Sequence, residues 1–208
     1  MIELFYSSTP NGRKVSIMLE EIKINYKITL VNLSDGEQFK PNFLKINPYA
    51  KIPAIIDHDN NFVLIESGAI LFYLAKKSKK FLPKENEIRV LEWLFFQMGN
   101  VGPILGQHHH FHHFNSGKSK YAEDRFFNNS IKIYEVLDKI LENKNYLSGN
   151  NYTISDIATF PWIARHNWHD IGLKKYKNLS RWYKNISERP AVIKGYDCLK
   201  KGEKIPKI

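Results

Sequence analysis

Apolar positions at the start of the chain alternate between the spacing of strands and the spacing of a helix. Ile2–Tyr6 is a short apolar run, and residues 26–31 alternate apolar with polar side chains. Between them, after a turn signal at residues 10–12, apolar residues recur at helical spacing: Val15, Met18, Leu19 and Ile22. This pattern predicts a strand–helix–strand unit with parallel strands and a right-handed crossover.

Two further apolar runs predict a hairpin. Residues 54–57 and 62–65 flank a short polar turn, which is the pattern of two antiparallel strands. A short helical piece over residues 41–46 precedes the hairpin, and an apolar helical segment over residues 67–76 follows it. The order β-α-β and then β-β-α is that of a thioredoxin-like fold, which we predict for residues 1–80.

The pattern changes after residue 76. Two polar segments, at residues 76–80 and 83–86, have the composition of a linker. Beyond them only helical periodicity recurs, over residues 88–98, 121–142, 154–169, 179–187 and 191–200. The fold class predicted from the pattern is therefore α/β plus all-α, with a helical bundle over residues 87–208 following the thioredoxin-like domain.

Composition narrows the class of protein. Hydrophobic residues make up 43% of the 208 residues, which argues against a disordered chain. No apolar run has the length of a membrane span, and the first residues lack the pattern of a signal peptide. We therefore expect a cytoplasmic protein with no membrane partner. The net charge of +10 suggests an anionic partner, but the basic residues are scattered, so we interpret them as solvated surface and expect no nucleic acid.

Cysteine usage restricts the sulfur chemistry. Cys198 is the only cysteine, so the chain can form neither an intramolecular disulfide nor a CxxC redox pair. Thiol chemistry would need a sulfur supplied by a ligand, or Cys198 acting alone as a nucleophile.

Three motifs together carry a resemblance to a known family: KIPA at residues 51–54, ESGAI at 66–70 and NYTISDIA at 151–158. In this order, and on this domain plan, they resemble the cytosolic glutathione transferases over nearly the whole chain. The segments at residues 8–12, 37–39 and 102–107 resemble more narrowly the bacterial nu class. That class is similar in activity to disulfide-bond reductases, so the resemblance implies glutathione as co-substrate.

The resemblance implies where glutathione binds. A cis bond between Ile52 and Pro53 would present the Ile52 backbone to the cysteinyl unit of glutathione, as an added strand does. Ser67, at a helix N-cap, would hold the γ-glutamyl carboxylate together with the amides that follow, and Glu66 would meet the α-ammonium group. A purely capping role for Ser67 is compatible with this. The resemblance also places Gln38 and Lys51 at the glycyl end.

The sulfur of glutathione would lie at the start of the first helix. There the helix dipole, the Thr9 hydroxyl and the Asn11 amide favour a thiolate. Neither side chain is a base at neutral pH, so their predicted catalytic role is electrostatic stabilisation. Tyr6, at the end of the first strand, is the rival for this role, although packing in the core is the interpretation we favour; Ser7 and Ser8 are weaker rivals.

With no active-site cysteine, disulfide exchange would have to run through two bound glutathiones or one glutathione disulfide. Arg125 resembles a nu-class arginine that anchors a bound glutathione across the interface of a homodimer; a surface salt bridge is the alternative.

Two further motifs are not assigned to the glutathione site. The run from His108 to His113 pairs imidazoles at i, i+4, as zinc sites do. The class has similar segments without metal, however, so we predict no metal there and expect the run to line the cleft and contact substrate. Thr153 and Asp156 have the spacing of a capping box, which is a folding device.

The sequence therefore predicts a homodimeric, glutathione-dependent disulfide-bond oxidoreductase acting on a small disulfide. Conjugation of glutathione to small electrophiles at the same site remains an alternative. A non-catalytic, transferase-like interaction protein is a further alternative, because a fold does not fix a function.

Overall fold

The computed structural model describes all residues, 1–208, and its N-terminal part is built on a four-stranded sheet. The strands, in chain order, are β1 (Ile2–Tyr6), β2 (Tyr26–Leu30), β3 (Ala54–Asp57) and β4 (Phe62–Ile65). The spatial order is β2-β1-β3-β4, with β1 parallel to β2 and antiparallel to β3, and β3 antiparallel to β4. The predicted parallel unit and hairpin are both present, and the sheet has the thioredoxin-like topology.

Helices account for most of the remaining chain. The α-helices are α1 (Pro10–Ile22), α2 (Pro41–Leu44), α3 (Ser67–Ser78), α4 (Glu87–Phe96), α5 (Gly102–His108), α6 (Lys120–Ile140), α7 (Ile154–Ile163), α8 (Lys177–Ser187) and α9 (Pro190–Tyr196). No strand occurs after residue 65, which confirms a helical domain after the thioredoxin-like one. None of the helices combines the length and the apolar character that crossing a membrane requires.

Helix α1 lies at the centre of the molecule. Its first turn is fixed by Thr9, whose Oγ1 accepts a hydrogen bond from the Gly12 N–H at 3.1 Å, and by a proline at the first helical position. One side of α1 packs on the sheet domain through α3, and the other packs on α7 and α9. Because α1 contacts both halves of the chain, the position of its N-terminus relative to the helical domain is set by the core itself.

A long helical rod forms one wall of the space beside α1. Helices α4 and α5 are joined by a π-helical turn at Gln97–Val101, and a second π-helical segment, His109–Phe114, continues α5. The apolar pattern predicted helix only as far as residue 98, because the glycines and the proline that follow are weak helix formers. Packing overrides that weak propensity here: Gly106 lies against the ring of Trp162 in α7.

The predicted capping box is present at the start of α7. The Asp156 carboxylate accepts hydrogen bonds from the Thr153 N–H and hydroxyl, from the Leu147 N–H and from the Trp182 indole. The predicted C-terminal bounds of two helices were too late by four residues or more. Helix α7 ends at residue 163 rather than 169, in turns closed by i→i−3 bonds, and α9 ends at 196 rather than 200. After α9 the Asp197 carboxylate accepts hydrogen bonds from the Lys201 and Gly202 N–H groups.

Candidate active site

A cleft of about 690 Å³ opens between the start of α1, the loop before β3 and the long helical rod. Its wall is formed by Asn11, Lys14, Tyr49, Lys51, Gln97, Met98, Gly102, Pro103, Gly106, Gln107, His110, Phe111 and Trp162. A larger groove, of about 1070 Å³, lies between α8 and the C-terminal residues, and no predicted site residue lines it. The smaller cleft is therefore the candidate active site.

The start of α1 carries two free hydrogen-bond donors, of which only Asn11 lines the cleft. The Asn11 Oδ1 atom accepts a hydrogen bond from the Trp162 indole N–H at 3.1 Å, which fixes the amide and leaves its NH2 group free to donate. Thr9 uses a hydroxyl lone pair to cap the helix, so its O–H hydrogen is also free. Asn11 lies on the cleft wall and Thr9 lies two residues earlier, at the cap. The geometry is that of an anion site at a helix N-terminus.

The two rival catalytic groups, the Tyr6 phenol and the Cys198 thiol, lie elsewhere. Tyr6 has no exposed surface and its ring packs beneath Gly12; burial raises the pKa of its phenol far above its usual range. Cys198 is half-buried near Tyr6, and burial raises the pKa of its thiol, which disfavours the reactive thiolate. Neither residue lines the cleft.

The loop before β3 has the predicted geometry. The Ile52–Pro53 peptide bond is cis. The Ile52 backbone N–H and C=O form no hydrogen bond within the chain, so both are available to an extended ligand. The Asn47 side chain donates to the Lys51 carbonyl at 2.7 Å and fixes the loop, while the Lys51 ammonium reaches over the Tyr49 ring on the cleft wall.

Ser67 lies one position later in its helix than the sequence predicted. The structure makes Ser67 the first helical residue of α3 and Glu66 the N-cap residue, with Glu66 in the left-handed region at φ +67°. The Glu66 side chain makes no capping bond and is exposed. Ser67 is buried, and its hydroxyl accepts a hydrogen bond from the Lys14 ammonium rather than capping the helix.

Lys14 is a site residue that the sequence analysis missed. Its side chain is 1% exposed and its Nζ atom contacts only uncharged acceptors: Gln97 Oε1 at 2.7 Å, Ser67 Oγ at 3.2 Å and Met98 Sδ at 3.5 Å. Burial lowers the pKa of Lys14 to about 7, although the charge of Glu66 opposes the shift. A signal was present, because Asn11 and Lys14 are three residues apart and share a face of α1.

Among the predicted site residues only Asn11 and Lys51 line the cleft itself, and Gln38 and Arg125 are among those that do not. Gln38 lies in a 3₁₀ turn before α2, and its Oε1 atom is buried without a partner. Arg125 is exposed on α6 and forms no salt bridge, so the alternative role considered for it has no support in the structure.

The histidine run divides between the cleft and the core. His110, with Gln107 and Phe111, lines the cleft as predicted. His109 is buried instead, and its ring stacks on His169 at 4.9 Å. No three metal-ligand side chains converge anywhere in the chain, and burial lowers the pKa of His109 to about 3. The rest of the run packs the rod onto the turn after α7.

Comparison with known proteins identifies the family. The model of the glutathione S-transferase N-terminal domain matches residues 3–76, and that of the C-terminal domain matches residues 101–190. The chain belongs to the glutathione S-transferase family. The disulfide-bond oxidoreductase YfcG of Escherichia coli is 44% identical to this transferase over 199 residues, which cover 92% of this chain and 93% of YfcG.

Solved structures of other glutathione transferases are similar over almost the whole chain. One from Burkholderia graminis, with two glutathione molecules bound per subunit, has a TM-score of 0.91 and 38% identity, covering 97% of this chain and 89% of that one. One from Pseudomonas putida, with one glutathione disulfide bound per subunit, has a TM-score of 0.88 and 39% identity, covering 94% and 90%.

Proposed function

We propose that this transferase is a glutathione-dependent disulfide-bond oxidoreductase that uses the sulfurs of bound glutathione and no protein cysteine. The observation that carries the proposal concerns the start of α1. A free amide donor, Asn11, faces a cleft at a helix N-terminus, and the single cysteine of the chain lies outside that cleft. The similarity to YfcG, named as a disulfide-bond oxidoreductase, supports the same reaction.

One glutathione binds along the N-terminal domain, which we assign to residues 1–80. The unpaired backbone groups of Ile52, beside the cis Pro53, bind its cysteinyl unit, and Ser67 with the first amides of α3 binds its γ-glutamyl carboxylate. The exposed carboxylate of Glu66 meets the α-ammonium group. Lys51, on the cleft wall, binds the glycyl carboxylate. Gln38 contributes at the same end of the ligand.

The sulfur chemistry needs two glutathiones for each disulfide. Thr9 and Asn11 donate hydrogen bonds to the first sulfur and hold it as a thiolate. The thiolate attacks one sulfur of the substrate disulfide and releases the other as a thiol, leaving a mixed disulfide with glutathione. A second glutathione thiolate attacks the glutathione sulfur of that mixed disulfide. The products are two substrate thiols and one glutathione disulfide, so two glutathiones are oxidised for each disulfide reduced.

The second glutathione would bind on the side of the cleft supplied by residues 87–208. In a homodimer of nu-class type, Arg125 of one subunit anchors a glutathione held by the other, which accounts for a side chain that is exposed and unpaired in the single chain. The reducing, glutathione-rich cytoplasm is the compartment that suits this reaction.

The test measures two activities side by side: reduction of 2-hydroxyethyl disulfide by glutathione, and conjugation of glutathione to 1-chloro-2,4-dinitrobenzene. We expect reduction to dominate in the wild-type protein. Asn11→Ala should lower kcat/KM by about 10- to 100-fold, the equivalent of a charge-assisted hydrogen bond of about 1.5–3 kcal/mol. The control, Cys198→Ser, should retain the wild-type turnover.

Other outcomes would contradict the proposal in distinct ways. Loss of reduction in Cys198→Ser would show that a protein sulfur takes part. Dominant conjugation that Asn11→Ala leaves unchanged would make the protein a conventional conjugating transferase. Absence of both activities in the wild-type protein would favour a non-catalytic interaction protein.

A further inference from the structure

Lys14 is a buried lysine whose amino group has no counter-ion in the chain. All three acceptors of its ammonium group, on Ser67, Gln97 and Met98, are uncharged, and no carboxylate lies within salt-bridge distance. Burying a charge is costly unless an opposite charge accompanies it. A lysine in such a position is stabilised as a cation only when an anion arrives.

The position of Lys14 shows where that anion would come from. Lys14 lies on the floor of the cleft, and its Nζ atom is 3.2 Å from the Ser67 hydroxyl. Ser67 begins α3, whose free backbone N–H groups form an anion site at the same point. An anion held at the start of α3 by Ser67 therefore lies next to the ammonium group as well.

We infer that Lys14 is the counter-ion for the ligand carboxylate bound at Ser67, and that it takes up a proton from solvent when the anion binds. The inference rests on the proposed function, because it requires glutathione to bind in this cleft. No bond to the ligand forms or breaks: the neutral amine gains one proton and becomes the ammonium group. Lys14 acts as a positioning residue, since it also holds the Ser67 hydroxyl.

The charged groups around Lys14 allow it to change its protonation state. Between β4 and α3, the charge of Glu66 favours the protonated form of Lys14. From the helical rod, Lys14 contacts the neutral side chains of Gln97 and Met98. Lys51 and His110 lie on the same cleft wall. The lowered pKa of Lys14, about 7, means that the amine is largely neutral in the empty protein at pH 8.

Protonation would also assist the sulfur chemistry. Asn11 and Lys14 lie one turn apart on the same face of α1, so a positive charge would arrive beside the sulfur site together with the ligand. An adjacent positive charge favours a thiolate over a thiol.

The test is calorimetric titration of the protein with S-methylglutathione, whose blocked sulfur cannot release a proton. Titrations at pH 8 in buffers of different ionisation enthalpy give the number of protons taken up. We expect about one proton per ligand for the wild-type protein, and a Kd that rises by up to about tenfold per pH unit above pH 7.

Variants show whether Lys14 is the group that takes up the proton. Lys14→Arg should bind the ligand without proton uptake, because arginine is always charged, and Lys14→Met should bind at least tenfold more weakly, also without uptake. The control is Lys80→Met, which removes an exposed lysine outside the cleft and should keep both the affinity and the proton uptake of the wild-type protein. Binding without uptake in the wild-type protein, or uptake that persists in Lys14→Arg, would overturn the inference alone. Absence of binding to the wild-type protein would overturn the proposed function as well.

Discussion

The close contact between α1 and α9 leads to a sharp stability prediction for Gly195→Ala. The Ser16 hydroxyl donates to the Gly195 carbonyl at 2.6 Å, which holds the two helices together at this point. A methyl group added at Gly195 would lie 2.5 Å from the Ile17 Cα atom and 2.7 Å from the Ile17 backbone nitrogen. Because both atoms belong to the backbone, no change of rotamer relieves the clash.

The size of the effect follows from two opposing terms. Carbon atoms pack at about 3.5–4.0 Å, so α1 and α9 would have to separate by about 1 Å. Overpacking of this kind costs about 1–3 kcal/mol, and a backbone clash belongs at the upper end. The better helix propensity of alanine returns at most about 1 kcal/mol. We therefore expect Gly195→Ala to lower the free energy of unfolding by about 2 kcal/mol, and Tm by about 4–8 °C.

Urea unfolding followed by circular dichroism measures this difference directly. The matched control is Gly99→Ala, since Gly99 is also helical but a methyl group there would meet no atom within 4 Å. We expect Gly99→Ala to leave stability unchanged or raise it by up to about 1 kcal/mol. Equal or greater stability of Gly195→Ala relative to Gly99→Ala would refute the reasoning.

Two further predictions concern buried ionisable groups. Asp156→Ala removes the acceptor of four buried hydrogen bonds and leaves the Leu147 N–H and the Trp182 indole unpaired, so urea unfolding should show a loss of about 3 kcal/mol or more; a loss under 1 kcal/mol would contradict this. Burial holds the pKa of His109 near 3, far below its value in the unfolded chain, so the unfolded state binds the extra proton and stability should fall as the pH drops below about 6.5. His109→Phe should reduce that fall by up to about 1.4 kcal/mol per pH unit between pH 6 and pH 5, and identical pH profiles for the two proteins would exclude the explanation.

The sheet could be predicted from the sequence because its signals are local. Polar turn residues bound the strands at 54–57 and 62–65, and the structure has the same bounds. The helical rod through residues 102–114 could not be predicted in this way. Its glycines and proline oppose helix formation, and the packing of Trp162 against Gly106 involves a residue far along the chain.

The residues of the candidate site also differ in whether local sequence signals reveal them. Asn11, Ile52 and Ser67 fall in short motifs, so a resemblance places them without any knowledge of contacts. The hydrogen bonds of Lys14 go to Ser67 and Gln97, which are 53 and 83 residues away, and no local sequence pattern indicates such distant partners. The one local signal is that Lys14 shares a helix face with Asn11. It indicates the direction of the side chain but not that the side chain is buried.

The π-helical turn at Gln97–Val101 has a consequence for how this protein can change by mutation. A π turn accommodates one residue more than an α turn, so every later side chain is rotated by about 100° around the helix axis relative to an uninterrupted helix. Deleting or inserting a single codon in this turn would therefore present a different set of side chains to the cleft while α4 keeps its packing. A single insertion or deletion of this kind can thus change which side chains line this side of the cleft.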